Sequence, residues 1–352
     1  MKKFSFLVMI ALLATAFAAL PALAQDDPEG KCYQDWYDAA QTKKDVPLAA
    51  KLGKECLEKF PQSKNAKYFQ GSINKYLNTL RGKFYEGVQA YYGGPDGARL
   101  TALVEAGDKF LAEKQAFTGQ AGDGGVAIYT ALTTAFGSMN GHFDLDKAKA
   151  YAEQALPLLE STTPPEPLTP EQYSGARDSA LARLNQLLGF YQLKQATPNY
   201  EQAEAFLTKA AAVKSKQPGE GWKDPNNYNL RTQVYNNQYQ ALSSQYRALP
   251  ADKQSGDEGK ALLEKLNPVV DKLIMDYARV IALSSDPRLK ALQDDAKERM
   301  EAFWKFKYNK TDGMADYIKG YETDPTVNRP LPPVPETPAP SATPGKPAAG
   351  KP

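Results

Sequence analysis

Residues 46–61 read VPLAAKLGKECLEKFP, and the small residues Ala49, Gly53 and Cys56 follow one another at intervals of four and three. Residues at these intervals share one face of an α-helix. Because small side chains let two helix axes approach closely, the stretch predicts a helix packed against a neighbour in a hairpin. The same spacing recurs in two later stretches, at Ala148, Ala152 and Ala155 and at Ala203, Leu207 and Ala210. A chain built from such hairpins is predicted to form a stack of helical repeats.

Four helix starts are marked by a residue that can cap a helix followed by proline, at Asp27-Pro28, Thr169-Pro170, Asp224-Pro225 and Asp286-Pro287. Proline suits the first helical position because the N–H that it lacks would be unpaired there in any case. Apolar residues between these marks recur every three or four positions, and no run alternates as a strand would. We therefore predict an all-α protein. Its helices should pair as 27–41 with 46–60, 64–91 with 95–114, 122–139 with 144–159, 170–194 with 199–213 and 225–248 with 257–283, closed by helices at 287–308 and 313–320.

The spacing of small residues resembles that of tetratricopeptide repeats, helix–turn–helix units of roughly 34 residues with small residues on the second helix. The second-helix pattern of the family is followed here at Ala49, Gly53, Cys56 and Pro61. The hairpins of this chain recur at roughly 45–55 residues, so the repeat is longer than the one typical of the family. The resemblance implies a right-handed α-solenoid of about five helical hairpins plus a closing helix over residues 25–323, with a concave groove that binds a protein or a peptide.

The first 24 residues have the pattern of a secretory signal peptide. Lys2 and Lys3 precede an apolar run, and Ala22 and Ala24 provide a small-x-small cleavage site. No later stretch reaches the roughly 20 apolar residues of a membrane span, and no cysteine follows the cleavage site directly, as one would in a lipoprotein. We therefore expect an exported protein, periplasmic or extracellular, without a membrane span or a lipid anchor.

Two classes of function are disfavoured by composition. Cleavage after residue 24 removes two of the 43 basic residues and none of the 41 acidic ones, so the mature chain is balanced and should not attract nucleic acid. His142 is the only histidine and falls in a predicted turn. A catalytic Ser–His or Cys–His pair is therefore disfavoured. We predict that the protein is not an enzyme and holds no cofactor or metal.

Cys32 and Cys56 are the only two cysteines, and an exported chain encounters an oxidising compartment. They fall on the two arms of the first predicted hairpin, near its open end. We therefore predict a disulfide between them, which would close a loop of about 25 residues and stabilise the fold by roughly 3 kcal/mol. The alternative is a pair of buried free thiols.

The helix predicted after Pro225 carries tyrosines and amides in two neighbouring columns. The tyrosine column contains Tyr228, Tyr235, Tyr239 and Tyr246, and the amide column contains Asn229, Gln233, Asn236 and Gln240. Amides pair with both donors and acceptors of an extended peptide, and tyrosine supplies rigid amphipathic contact area. We therefore predict a partner-binding site at Tyr228, Asn229, Gln233, Tyr235, Asn236, Tyr239 and Gln240. The alternative is that the tyrosine rings complete the packing between helices while the amides face water.

These patterns lead to two hypotheses of function. The first is a non-enzymatic, secreted or periplasmic scaffold that binds a protein or a peptide in its groove. Because tyrosine and amide side chains also bind sugar rings, the alternative is a cell-envelope protein that binds cell-wall glycan or has a structural role there.

The composition changes abruptly near residue 324. Residues 325–352 contain ten prolines together with Ala, Thr, Gly and Lys, and almost no large apolar side chains. Such a segment buries too little apolar surface to fold and samples extended polyproline conformations. We therefore predict a disordered Pro-rich tail over residues 324–352.

Overall fold

The computed structural model describes residues 27–161, 163–165, 168–216 and 219–333. These residues form helices joined by turns, and no strand occurs among them, so the predicted all-α class is confirmed. The signal peptide predicted at residues 1–24 lies outside the described residues, as do residues 334–352 of the predicted tail.

Thirteen α-helices are found in the described part of the chain, and each predicted helix is present with its ends within four residues of the prediction. They are α1 (Pro28–Tyr37), α2 (Val46–Lys59), α3 (Ala66–Gly93), α4 (Gly97–Thr118), α5 (Gly124–Met139), α6 (Leu145–Glu160), α7 (Pro170–Lys194), α8 (Tyr200–Ala212), α9 (Pro225–Ala248), α10 (Ala251–Gln254), α11 (Asp257–Leu283), α12 (Lys290–Tyr308) and α13 (Met314–Lys319). A π-helical turn, Asp38–Thr42, continues α1. None of these helices combines the length and the apolar composition needed to cross a bilayer.

The helix starts that proline marks are capped as the sequence predicts. Asp27 and Asp224 each accept a hydrogen bond from the backbone N–H two residues further on, at the starts of α1 and α9. Asp286 does the same for a 3₁₀ turn, Pro287–Leu289, which directly precedes α12. Thr169 and Gln172 form a complete capping box, with hydrogen bonds of 3.1 and 3.2 Å. These bonds satisfy backbone donors that have no partner inside the helix, which fixes where each helix begins.

The described residues divide into two compact units, one ending at Val126 and the other beginning at Ala127. In the first unit α1 packs on α2, α2 on α3 and α3 on α4, so that neighbours in sequence are neighbours in space. The small face of α2 is buried, and a Cβ added to Gly53 would lie 3.0 Å from the carbonyl oxygen of Phe69 on α3. This close approach of two helix backbones is the contact that the spacing of small residues predicts.

The second unit repeats this arrangement of successive helices. α6 packs on α7, α7 on α8 and α8 on α9, and α11 contacts both α9 and α12. The small residues Ala148, Ala152 and Ala155 of α6 are fully buried in one cluster with residues of α5 and α7. A Cβ added to Gly189 of α7 would lie 2.5 Å from Cγ of Leu207 on α8, so the glycine makes room for that leucine. The small residues therefore mark helix contacts in both units.

The prediction of a disordered tail is wrong for its first ten residues, 324–333. Residues 324–333 lie against the helices of the second unit: Nε of Arg279 donates to the carbonyl of Pro325 at 2.8 Å, and the Tyr308 hydroxyl donates to the carbonyl of Pro332 at 2.9 Å. Because backbone carbonyls make these contacts, the segment is held without many apolar side chains of its own.

Candidate binding site

The tyrosine column predicted as a partner-binding surface faces the protein interior. Tyr228, Tyr235 and Tyr239 are only 2%, 4% and 3% exposed, in a core formed by α9, α11 and α12. The Tyr228 hydroxyl donates to the carbonyl of Trp222 at 2.9 Å, and burial raises its pKa to about 12. The Tyr239 ring meets Phe303 edge-on, with ring centroids 5.1 Å apart. The expected surface position of these three tyrosines is thus corrected, because rings that complete the helix packing cannot be reached by a partner.

The amide column of the same helix is divided between the core and the surface. Asn236 is half-buried, and its Nδ2 donates to the Tyr277 hydroxyl at 2.7 Å, so this amide belongs to the core. Asn229 is also half-buried, whereas Gln233 and Gln240 are exposed. A role in partner binding stays a prediction for Asn229, Gln233 and Gln240.

The first unit contains a groove that the sequence patterns did not indicate. It is a cavity of about 240 Å³ between the end of α1, the start of α2 and the first turns of α3. Its lining includes Trp36, Gln41, Lys67, Tyr68, Gly71 and Lys75. We call it the hairpin groove, because its walls belong to the first helical hairpin and to the helix that follows.

Two aromatic rings form one wall of the hairpin groove. Nε1 of Trp36 donates to Oγ of Ser72 at 2.9 Å, and the indole packs edge-on against Phe69 at 5.5 Å between ring centroids. Tyr68 lies 6.2 Å from Trp36 between ring centroids and is 48% exposed. The indole is therefore held in place, while the tyrosine ring beside it presents much of its surface to solvent.

Two lysines make the hairpin groove positive. Lys67 and Lys75 are both exposed on α3, and Nζ of Lys67 lies 5.0 Å from the centroid of the Tyr68 ring. Among the described residues that line the groove, none is acidic. A carboxylate that entered the groove would therefore meet two ammonium groups without a competing negative charge in the lining.

The predicted disulfide is present and lies in the same hairpin. It joins Cys32 of α1 to Cys56 of α2, with the two Cα atoms 5.8 Å apart, and Cys56 is completely buried. The bond ties α1, which carries Trp36, to the helix that forms the opposite side of the hairpin. It therefore restrains one wall of the hairpin groove.

Comparison of the chain with family models, with curated proteins and with solved structures finds no match. The resemblance to tetratricopeptide repeats thus rests on the spacing of residues.

Proposed function

We propose that this protein is an exported, non-enzymatic helical scaffold of the tetratricopeptide-like type, and that it binds a protein or a peptide. The observation that carries the proposal is the hairpin groove, in which the exposed ring of Tyr68 adjoins a positively charged lining. The disulfide between Cys32 and Cys56 supports the exported location, because disulfides persist in oxidising compartments and are rare in reducing ones.

The chemistry of the groove fits a peptide segment that carries a large apolar side chain next to an acidic residue. The apolar side chain would bury its surface mainly against the ring of Tyr68, because Tyr68 is 48% exposed and Trp36 only 4%. Apolar anchors of this kind supply most of the binding free energy at protein interfaces. The carboxylate would pair with Lys67 or Lys75. The amide of Gln41 can both donate to and accept from the peptide backbone.

The groove is also built to be rigid before a partner arrives. The hydrogen bond from Trp36 to Ser72 and the disulfide of the first hairpin hold the wall that contains the indole. A preformed site loses less binding free energy to the ordering of its own side chains. The rigidity of this wall therefore favours the binding of a short peptide segment.

A cell-envelope glycan is the alternative ligand, since the exposed ring of Tyr68 could equally contact a sugar ring. A neutral glycan gives no role to Lys67 and Lys75, so the charge of the lining favours the acidic peptide. Co-sedimentation of the mature protein with purified peptidoglycan distinguishes the two ligands.

Filling the groove should abolish peptide binding without harming the fold. A Cβ added at Gly71 would meet no atom within 4 Å, so Gly71→Leu places a side chain in the groove at no steric cost to the helix. We expect peptides selected from a random library on the wild-type protein to be acidic, and to bind Gly71→Leu at least about tenfold more weakly, which corresponds to roughly 1.4 kcal/mol. Fluorescence polarisation measures this change.

The matched control is Gly82→Leu on the same helix. Gly82 also has no atom within 4 Å of an added Cβ, and it does not line the groove. Both variants replace a helical glycine with a better helix former, so neither should lower the melting temperature. Equal affinities of the two variants for the selected peptides would rule out the groove as the binding site.

A further inference from the structure

The second unit contains a cavity lined by positive side chains that the proposed function does not use. It measures about 240 Å³ and lies between α8, α9, α11 and the segment that follows α13. Its lining includes Thr208, Lys214, Tyr228, Arg231, Arg279 and Thr326. We call it the arginine pocket.

Two guanidinium groups of this pocket share one buried carboxylate. Nε of Arg231 donates to Oδ2 of Asp276 at 2.8 Å, and Nη1 of Arg279 donates to Oδ1 of the same residue at 2.7 Å. The side chains of Arg231, Arg279 and Asp276 are 11%, 9% and 1% exposed. One carboxylate therefore pairs with two guanidinium groups in a site that is largely removed from water. Burial of a charge without a counter-charge destabilises the fold.

The donors of the two arginines are not equally occupied. Nε of Arg279 donates to the carbonyl of Pro325 at 2.8 Å, and its Nη2 donates to the carbonyl of Val327 at 3.3 Å. Nη1 of Arg231 has, among the described residues, only a long contact of 3.4 Å to Oγ1 of Thr208. Since both Arg231 and Thr208 line the pocket, this guanidinium nitrogen and this hydroxyl are positioned to donate to an acceptor inside it.

The surrounding groups leave the pocket positive. Lys214 lies exposed at the lining, and the nearby carboxylates are Asp276 and Asp324. The Asp324 carboxylate already accepts hydrogen bonds from Thr326, mainly from its hydroxyl, and these bonds together with the charges of Lys214 and Arg329 lower its pKa. Lys214, Arg231 and Arg279 therefore outnumber the two carboxylates at neutral pH.

Tyr228 closes the inner side of the pocket without adding charge. The Arg231 guanidinium lies 5.2 Å and the Arg279 guanidinium 5.5 Å from the centroid of its ring. Burial raises the pKa of its hydroxyl to about 12, so the phenol stays neutral at physiological pH. The ring face supports both cations and keeps their positions fixed.

We infer that the arginine pocket is a binding site for a small oxyanion, of the size of phosphate or a short dicarboxylate, held by Arg231, Lys214 and the hydroxyl of Thr208. The bound oxyanion supplies the negative charge that Asp276 and Asp324 together leave missing. At about 240 Å³ the cavity is too small to hold a folded domain.

Calorimetric titration of the mature chain, residues 25–352, with inorganic phosphate and with succinate tests the site. Both are compared with chloride at equal ionic strength, which removes general screening effects. Binding of either oxyanion at one site per chain is the expected result, and comparison of the two shows whether phosphate or carboxylate is preferred. Heats no larger than those of chloride for both probes would overturn the inference.

Two variants locate the binding in the pocket. Arg231→Gln should reduce affinity at least about tenfold, since it removes a charged donor of the pocket. Because that change can also unfold the unit, Lys214→Gln is the second variant, with an expected loss of about fivefold. Lys209→Gln is its control, because Lys209 is exposed on α8 and does not line the pocket. Equal losses of affinity in Lys214→Gln and Lys209→Gln would show that the anion is held only by non-specific electrostatic attraction, and would overturn the inference.

Discussion

Replacing Asp276 with asparagine is expected to lower the free energy of unfolding by about 3–5 kcal/mol, the usual effect of removing one partner from a buried ion pair. Asp276 is 1% exposed and pairs with both Arg231 and Arg279, so asparagine keeps the shape but leaves two buried guanidinium groups without a counter-charge. Urea-induced unfolding followed by circular dichroism measures the change.

The control for this prediction is Asp294→Asn. Asp294 pairs with Lys290 at 2.9 Å on the surface, where both side chains are more than half exposed, and such pairs contribute about 0–1 kcal/mol. A similar loss of stability in the two variants would mean that the buried pair is no more important to the fold than a surface pair.

Reducing the disulfide between Cys32 and Cys56 is expected to destabilise the first unit by about 3 kcal/mol, because the reduced chain regains the freedom of an open loop. The loop spans a sequence separation of 24 residues. We also expect selected peptides to bind more weakly, since α1 would no longer hold Trp36 firmly in the wall of the hairpin groove.

Hydrogen exchange measured by mass spectrometry reports this effect helix by helix. After reduction and alkylation, exchange should accelerate in α1 and α2, while α11 of the second unit serves as the internal reference. Unchanged exchange in α1 and α2 of a chain whose two thiols are fully alkylated would contradict the stabilising role of the bond.

The helices and the disulfide could be predicted from the sequence because their signals are local. A capping residue before proline satisfies backbone donors within one turn, and this holds in the structure at Asp27 and Thr169. The small residues also predicted which helices meet, since Gly53 approaches the backbone of Phe69 and Gly189 approaches Leu207.

The orientation of α9 could not be predicted from the sequence. A tyrosine column beside an apolar column can either be buried with it or be exposed to solvent. The structure buries Tyr235 and Tyr239 together with Val234 but leaves Ala241 exposed. The deciding factor is the position of α11 and α12, which supply the partners of these rings from residues far away in sequence.

The hairpin groove cannot be predicted from the sequence for a related reason. Trp36 on α1 and Tyr68 on α3 are separated by more than 30 positions, and nothing in either local pattern indicates that the two rings meet. Composition also predicts that residues 324–333 belong to the tail, because it reports the side chains of a segment and not its backbone hydrogen bonds. The contacts that hold the segment use the carbonyls of Pro325, Val327 and Pro332, which composition does not reveal.

Binding of a partner in the hairpin groove is tested most directly by site-specific photocrosslinking in cells that make the protein. A photoreactive phenylalanine analogue replaces Tyr68 in one strain and Tyr92 in another; both residues are on α3, and they are 48% and 51% exposed. We expect one dominant protein adduct from position 68 that position 92 does not give and that Gly71→Leu removes. The same adducts from both positions, or none from position 68, would contradict it.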